Sequence, residues 1–225
     1  MKQLALELAS APAPTLDNFV IGGNAEVVTA LRALGRGDSR ERLIYLWGGG
    51  GSGRTHLLQA VLRTLRESGC TVCLFAETEN QDVLAGSEVV GVDDVQRLTA
   101  PDQVKLFNIF NKLRDYSGVM VATGDMPPAR LSLREDLQTR LAWGLVYEVH
   151  ALSEDDRRAA VNDYASARGF ELPRAVADYL LVHAPRDLPA LRALVDGLDR
   201  LSLERKRAIT VPLARELLQA AQPKE

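Results

Sequence analysis

The stretch Gly48-Gly49-Gly50-Gly51-Ser52-Gly53-Arg54-Thr55 carries the spacing of a phosphate-binding P-loop, with arginine in the position of the usual lysine. Glycines in such a loop let backbone N–H groups turn inward onto a phosphate. A helix that follows adds the positive end of its dipole. Gly48, Gly51, Ser52, Gly53, Arg54, Thr55 and His56 are therefore candidate nucleotide ligands, and the Thr55 hydroxyl is a candidate ligand of Mg2+. Lysine presents a compact charge to the β- and γ-phosphates, whereas arginine is longer, planar and always charged. Arg54 can hold phosphate but is less suited to placing the γ-phosphate for hydrolysis. The expectation is a nucleotide site with weak turnover of its own.

Three more groups of residues have the types and order that would complete such a site. Glu88-Val89-Val90-Gly91-Val92-Asp93-Asp94 is an apolar run ending in two acids, a Walker B element. Asp93, at the strand end, would hold Mg2+ through water; Asp94 would orient or deprotonate the attacking water. Gly118-Val119-Met120-Val121-Ala122-Thr123 ends in Gly124-Asp125. Thr123 and Asp125 are candidates to touch the γ-phosphate or water, against the plain alternative of a loop start before Met126-Pro127-Pro128. Arg140 falls near the end of a helical pattern before the last apolar run, the place of an arginine finger. Such a finger neutralises charge on a nucleotide bound by a neighbouring subunit. By residue type alone, Arg140 is a solvated surface charge.

Apolar runs at 43–47, 71–76, 88–92, 118–123 and 145–149 would position these groups, with helical patterns at 24–34, 54–67 and 102–115. Alternation of this kind predicts an α/β fold, a parallel sheet covered by helices. After His150 the pattern becomes helical throughout. Ser153 caps one helix, Pro173 opens a second to about His183, Asp187 caps a third to about Arg205, and Pro212 opens a last one. The predicted division is a peptide and linker over 1–15, a nucleotide-binding core over 16–150 and an all-α bundle over 151–225. The Ala/Pro tract from Ala9 to Pro14 is a tether that cannot pack much.

Composition narrows the function classes. The chain has 225 residues, 46% hydrophobic, with a formal net charge of −3, which argues against a protein that coats nucleic acid. Cys70 and Cys73 have C-x-x-C spacing, but no further cysteine or histidine pair completes a metal site, so they are expected to be core or surface thiols. A signal peptide and a long apolar run are both lacking, so a cytoplasmic location without membrane association is expected.

Taken together, these motifs resemble the DnaA-related branch of the AAA+ ATPases. Leu16-Asp17-Asn18-Phe19-Val20-Ile21-Gly22-Gly23-Asn24 resembles the family's adenine-side box, which implies that Phe19 and Val20 touch the nucleotide. Thr55-His56-Leu57-Leu58, Val92-Asp93-Asp94-Val95-Gln96 and Thr123-Gly124-Asp125 resemble the family's P-loop exit, Walker B and sensor-1 segments. Thr139-Arg140-Leu141-Ala142-Trp143-Gly144 resembles the segment whose arginine is the finger. Two departures resemble the Hda-type family of DnaA inactivators. The chain stops after the helical lid, so the initiator's DNA-reading domain is expected to be absent. Gln3-Leu4-Ala5-Leu6-Glu7-Leu8 is similar to the peptide by which bacterial proteins dock on the sliding clamp of DNA polymerase III. A short extended peptide suits such docking, with Leu4, Leu6 and Leu8 for an apolar pocket and Gln3 for orientation. A third departure is at sensor 2, where Pro189 aligns with the family's arginine; Arg186 or Arg192 would replace it, and Arg192 falls in place with a small shift.

The resemblance implies an AAA+ core with a helical lid that binds ADP or ATP with Mg2+, chiefly ADP, and has weak intrinsic ATPase. It implies docking on the DNA-loaded clamp, and contact with DNA only through the clamp. Arg140 would then complete the ATP site of an adjacent DnaA in trans, making the protein an activator of DnaA's ATPase and an inhibitor of re-initiation. A homo-oligomer is a further assembly open to this fold. The alternatives are an active AAA+ loader or remodeller, a P-loop small-molecule kinase, and an adaptor in which nucleotide only holds the fold.

Overall fold

The computed structural model describes residues 12–77, 86–185 and 187–221. These residues divide into two compact units, Pro14–Ala151 and a second that begins at Leu152. Gln3, Leu4, Leu6, Leu8 and Arg186 lie outside the described residues.

The first unit is built on a parallel sheet of five described strands: β1 (Leu43–Trp47), β2 (Val72–Leu74), β3 (Val89–Val92), β4 (Val119–Gly124) and β5 (Leu145–Glu148), in the order β2-β3-β4-β1-β5. The central strands are apolar in nearly every position because a parallel sheet with helices on both faces has no solvent side. Alternate residues of β1 serve opposite layers. Ile44 and Leu46 pack with Val28 and Leu31 of α1 (Ala25–Gly35) and Leu58 and Val61 of α2 (Arg54–Glu67). Leu43 and Tyr45 pack with Leu106 and Phe110 of α3 (Ala100–Asp115) and Leu137 and Leu141 of α4 (Glu135–Leu141). Leu58 is fully buried, so trimming it to alanine would cost about 2–5 kcal/mol.

Two boundaries differ from the sequence expectation for local reasons. The run at 71–76 forms a strand only over Val72–Leu74, because Phe75–Glu77 winds into a 3-10 turn. The helix expected at 102 starts at Ala100. Thr99 and Asp102 close a reciprocal capping box, and Pro101 is accepted in the first turn, where its missing N–H has no partner to lose.

The second unit holds α5 (Glu154–Ala167), α6 (Arg174–His183), α7 (Leu188–Arg205) and α8 (Val211–Ala221) around its own core of Val161, Leu180, Leu191, Leu198 and Leu213. Ser153 caps α5 and closes a box with Asp156. The Asp187 carboxylate accepts from the Ala190 N–H and caps α7. No helix among the described residues is long and apolar enough to cross a membrane.

Candidate functional site

The P-loop lies between the end of β1 and the start of α2. Gly48 is obligatory on packing grounds, since a Cβ there would strike the Val149 carbonyl. Gly53, at φ 98°, precedes α2 in a left-handed conformation, and a Cβ there would sit 2.7 Å from the Phe19 ring. The first helical bond of α2 runs from Leu57 N–H to the Gly53 carbonyl, so the N–H groups ahead of it need partners from outside the helix. Two buried side-chain atoms at the loop also lack hydrogen-bond partners among the described residues, Ser52 Oγ and Arg54 Nη1. Buried polar atoms are nearly always satisfied. A cradle of glycines and helix-start N–H groups with two unsatisfied donors fits a bound phosphate.

Phe19 closes one side of this loop. Its ring centroid lies 5.4 Å from that of His56, whose Nε2 is 2.9 Å from the Thr15 carbonyl oxygen. The segment carrying Phe19 and Val20 is thereby folded onto the P-loop, with both side chains half-buried.

The acids at the tip of the sheet sit in a connected network. The buried Thr123 hydroxyl donates to Asp93 Oδ1 at 2.5 Å and accepts the Asp94 N–H at 2.9 Å. At Asp94 the backbone turns left-handed, φ 50°, a conformation that Asp tolerates better than most residues. Its Oδ1 lies 3.5 Å from Arg54 Nη2 and accepts the Gln96 amide at 3.0 Å. The Gln96 side-chain Oε1 accepts the Asp125 N–H at 3.3 Å. Asp93, Asp94 and Asp125 are thus brought together with Arg54, and Asp94 pairs with the P-loop cation on one oxygen and, at 4.0 Å, with Arg97 on the other. Thr55, exposed on α2, and Asp93 are the groups available to a divalent ion. Among the described residues no three His, Cys, Asp or Glu side chains cluster as a metal cage. An ion here would therefore rely on phosphate oxygens and water, as Mg2+ commonly does.

Tyr45 and Gln96 belong to this network, and sequence reasoning gave neither a role, although Gln96 ends the Walker B motif quoted above. The Tyr45 hydroxyl donates to the Met126 carbonyl at 2.9 Å and leaves no room for a Cβ on Gly124. Burial, and then the charge of Asp125, push its ionisation well above the ordinary tyrosine range. A tyrosine in the middle of an apolar strand was the available signal, since a buried hydroxyl needs a fixed acceptor.

Arg140 occupies the last turn of α4. Its guanidinium carbon stands 3.8 Å from the centroid of the Trp143 ring, 5.5 Å from Phe107 and 5.7 Å from Phe110. Its Nε is buried without a hydrogen-bond partner, and no carboxylate pairs with it among the described residues. Stacking of this kind contributes about 0.5–2 kcal/mol, depending on how far the cation is desolvated. Arg134, at the start of the same helix, instead forks onto Asp136 at 3.1 and 2.7 Å and holds that carboxyl below its usual range.

In the second unit, Arg192 of α7 lies over the Tyr164 ring, 5.4 Å from its centroid, and its buried Nε has no hydrogen-bond partner among the described residues. Tyr164 donates to Asp196, which Arg168 also engages. Cys70 is half-buried and Cys73 buried, and no disulfide joins them.

Residues 76–148 match the family model of the bacterial DnaA ATPase domain, and residues 154–218 match that of the Hda lid domain. Domain III of the replication initiation protein DnaA from Thermotoga maritima is similar over 93% of this chain and 97% of its own, with TM-score 0.76 and 25% identity. AMPPCP-bound DnaA from Aquifex aeolicus is similar over 87% of this chain and 69% of its own, with TM-score 0.70 and 27% identity. The RuvB Holliday junction branch migration motor of Thermotoga maritima shares the fold, with TM-score 0.67 over 92% of this chain and 71% of its own, at 18% identity. The fold and site define an AAA+ P-loop protein with a parallel-sheet core and a helical lid. Within that class the chain is DnaA-related, and its lid is of the Hda type.

Proposed function

We propose that the protein is a negative regulator of replication initiation that acts on DnaA. An adenine nucleotide, chiefly ADP, would be held by the P-loop from Gly48 to His56, with Phe19 and Val20 beside it and Thr55 and Asp93 toward Mg2+. Bound nucleotide supplies phosphate charge that satisfies Ser52 Oγ and Arg54 Nη1. Arg54 is shared with Asp94, which leaves that acid poorly placed to serve water, and intrinsic turnover is accordingly weak. The peptide from Gln3 to Leu8 would dock on the DNA-loaded sliding clamp, and Arg140 would reach the ATP of an adjacent DnaA.

The observation that carries this reading is the state of Arg140: a guanidinium at a helix end, stacked on aromatic rings, with no carboxylate among the described residues to neutralise it. Such a cation suits an anion supplied by another molecule. The test is the turnover of DnaA-bound ATP in the presence of this protein and DNA-loaded clamp. The wild type is expected to accelerate it. Arg140→Ala should lose the acceleration while keeping nucleotide and clamp binding. Gln3→Ala with Leu6→Ala should lose clamp binding without a change in melting temperature, since the peptide lies beyond the Ala/Pro tether. No acceleration by the wild type would remove the proposal.

A further inference from the structure

The surroundings of Arg140 are more specific than a finger alone requires. Trp143 follows it by one turn, and the chain is pinned immediately afterwards: a Cβ on Gly144 would strike the Leu43 carbonyl, so the backbone lies hard against β1. The Trp143 N–H donates to the Arg140 carbonyl at 3.1 Å, which holds the two residues in fixed relation. Phe110, buried from α3, meets the indole edge-on, with centroids 5.9 Å apart and planes at 73°, and so backs the ring that carries the cation. Yet Trp143 remains 53% exposed. A large ring so firmly supported and only half covered has one face in use, and its occupant is Arg140.

The chemistry of this contact differs from that of an ion pair. A carboxylate binds a guanidinium through its N–H edge, as Asp136 does to Arg134, and a phosphate must compete for the same donors. An aromatic ring binds the flat face of the cation and leaves the edge donors for an incoming anion. We infer that Trp143 is the positioning residue for Arg140: its indole holds the guanidinium oriented, without a carboxylate of its own among the described residues, until a phosphate of a partner's nucleotide takes it. This inference rests on the trans-acting reading of Arg140 given above.

The experiment has two arms, both on the full chain. In the first, DnaA-bound ATP turnover is followed with DNA-loaded clamp while the concentration of this protein is varied. Trp143→Leu, which keeps an apolar body and removes the ring, should lower the maximal rate about tenfold at an unchanged half-saturating concentration. Trp143→Phe, a weaker aromatic face, should recover most of the rate. A loss seen only as a raised half-saturating concentration would make Trp143 a docking contact and overturn the inference, as would an undiminished rate in Trp143→Leu. In the second arm, Trp47→Phe leaves Trp143 as the one tryptophan of the two in the chain. Arg140→Ala in that background should shift or brighten its emission, because the cation leaves the ring; unchanged emission would overturn the stacking itself. Should Trp47→Phe fail to fold, the difference in emission between wild type and Trp143→Phe, each with and without Arg140→Ala, gives the same comparison. If the wild type does not stimulate DnaA while the emission responds to Arg140→Ala, the trans-acting reading and the positioning role fall, but the stacked pair stands.

Discussion

Arg54 and Arg140 are the same side chain in two opposite situations. Arg54, mostly covered by the P-loop and the tip of β3, shares its charge with Asp94 at 3.5 Å. Arg140, at the end of α4, meets rings and pairs with no acid among the described residues. The first cation is already partly neutralised by its own chain, and a phosphate entering there displaces a carboxylate. The second loses nothing when an external anion arrives. On the proposed function, the resident site would hold a nucleotide and the far helix end would act on one held elsewhere.

The contrast breaks most directly at Arg140. Arginine fingers contribute about 10³–10⁵ in rate, so Arg140→Ala should reduce stimulated DnaA turnover by at least about 10³. Lysine at that position should rescue poorly because it lacks the planar fork. A variant that still stimulates at the normal rate would shift attention to Arg134, whose pairing with Asp136 would then need to open. Next in size is Arg54→Ala. Losing one or two charge-assisted bonds to phosphate, about 1.5–3 kcal/mol, should weaken ADP binding by roughly 10- to 150-fold in a calorimetric titration. Its effect on DnaA turnover should be small once ADP is saturating. The smallest and sharpest test is Asp94→Asn, which keeps the shape and the Gln96 contact and removes the competing charge. ADP affinity should rise about three- to fivefold, the value of a partly screened pair of ~1 kcal/mol. A fall in affinity would mean that Asp94 helps to hold the nucleotide and that the two arginines differ less than proposed.

Much of the framework was legible from residue order. The strand Leu43–Trp47 and the helix Arg54–Glu67 coincide with the apolar run and the helical pattern, because full burial and a glycine stop signal are both local properties. The caps at Ser153 and Asp187 were readable for the same reason. What was not legible depends on contacts between elements distant in sequence. Arg140 stacks with Phe107 and Phe110 from a different helix, and nothing in the spacing of residues 107–143 announces that meeting. Without it, Arg140 reads as one more surface charge. The pairing of Arg54 with Asp94 likewise joins a loop to a strand end some distance along the chain, and it turns two separately readable motif residues into one electrostatic unit. Gly124 and Gly144 could be seen as glycines but not as necessities, since the Tyr45 hydroxyl and the Leu43 carbonyl that crowd them come from β1.

The Thr123 hydroxyl has a consequence for how the sheet responds to cargo. One rotor serves two strands: its proton goes to Asp93, and its lone pair takes the Asp94 N–H. A cation settling on the same Asp93 oxygen would compete with that proton for the oxygen, and the hydroxyl would have to turn. Turning it disturbs the acceptor on which the left-handed bend at Asp94 leans, and with it the carboxylate facing Arg54. Occupancy at the tip of β3 would thus reach the P-loop through the rotation of a single bond. Serine could carry that signal; valine, of nearly the same shape, would leave the strands packed and the message unsent.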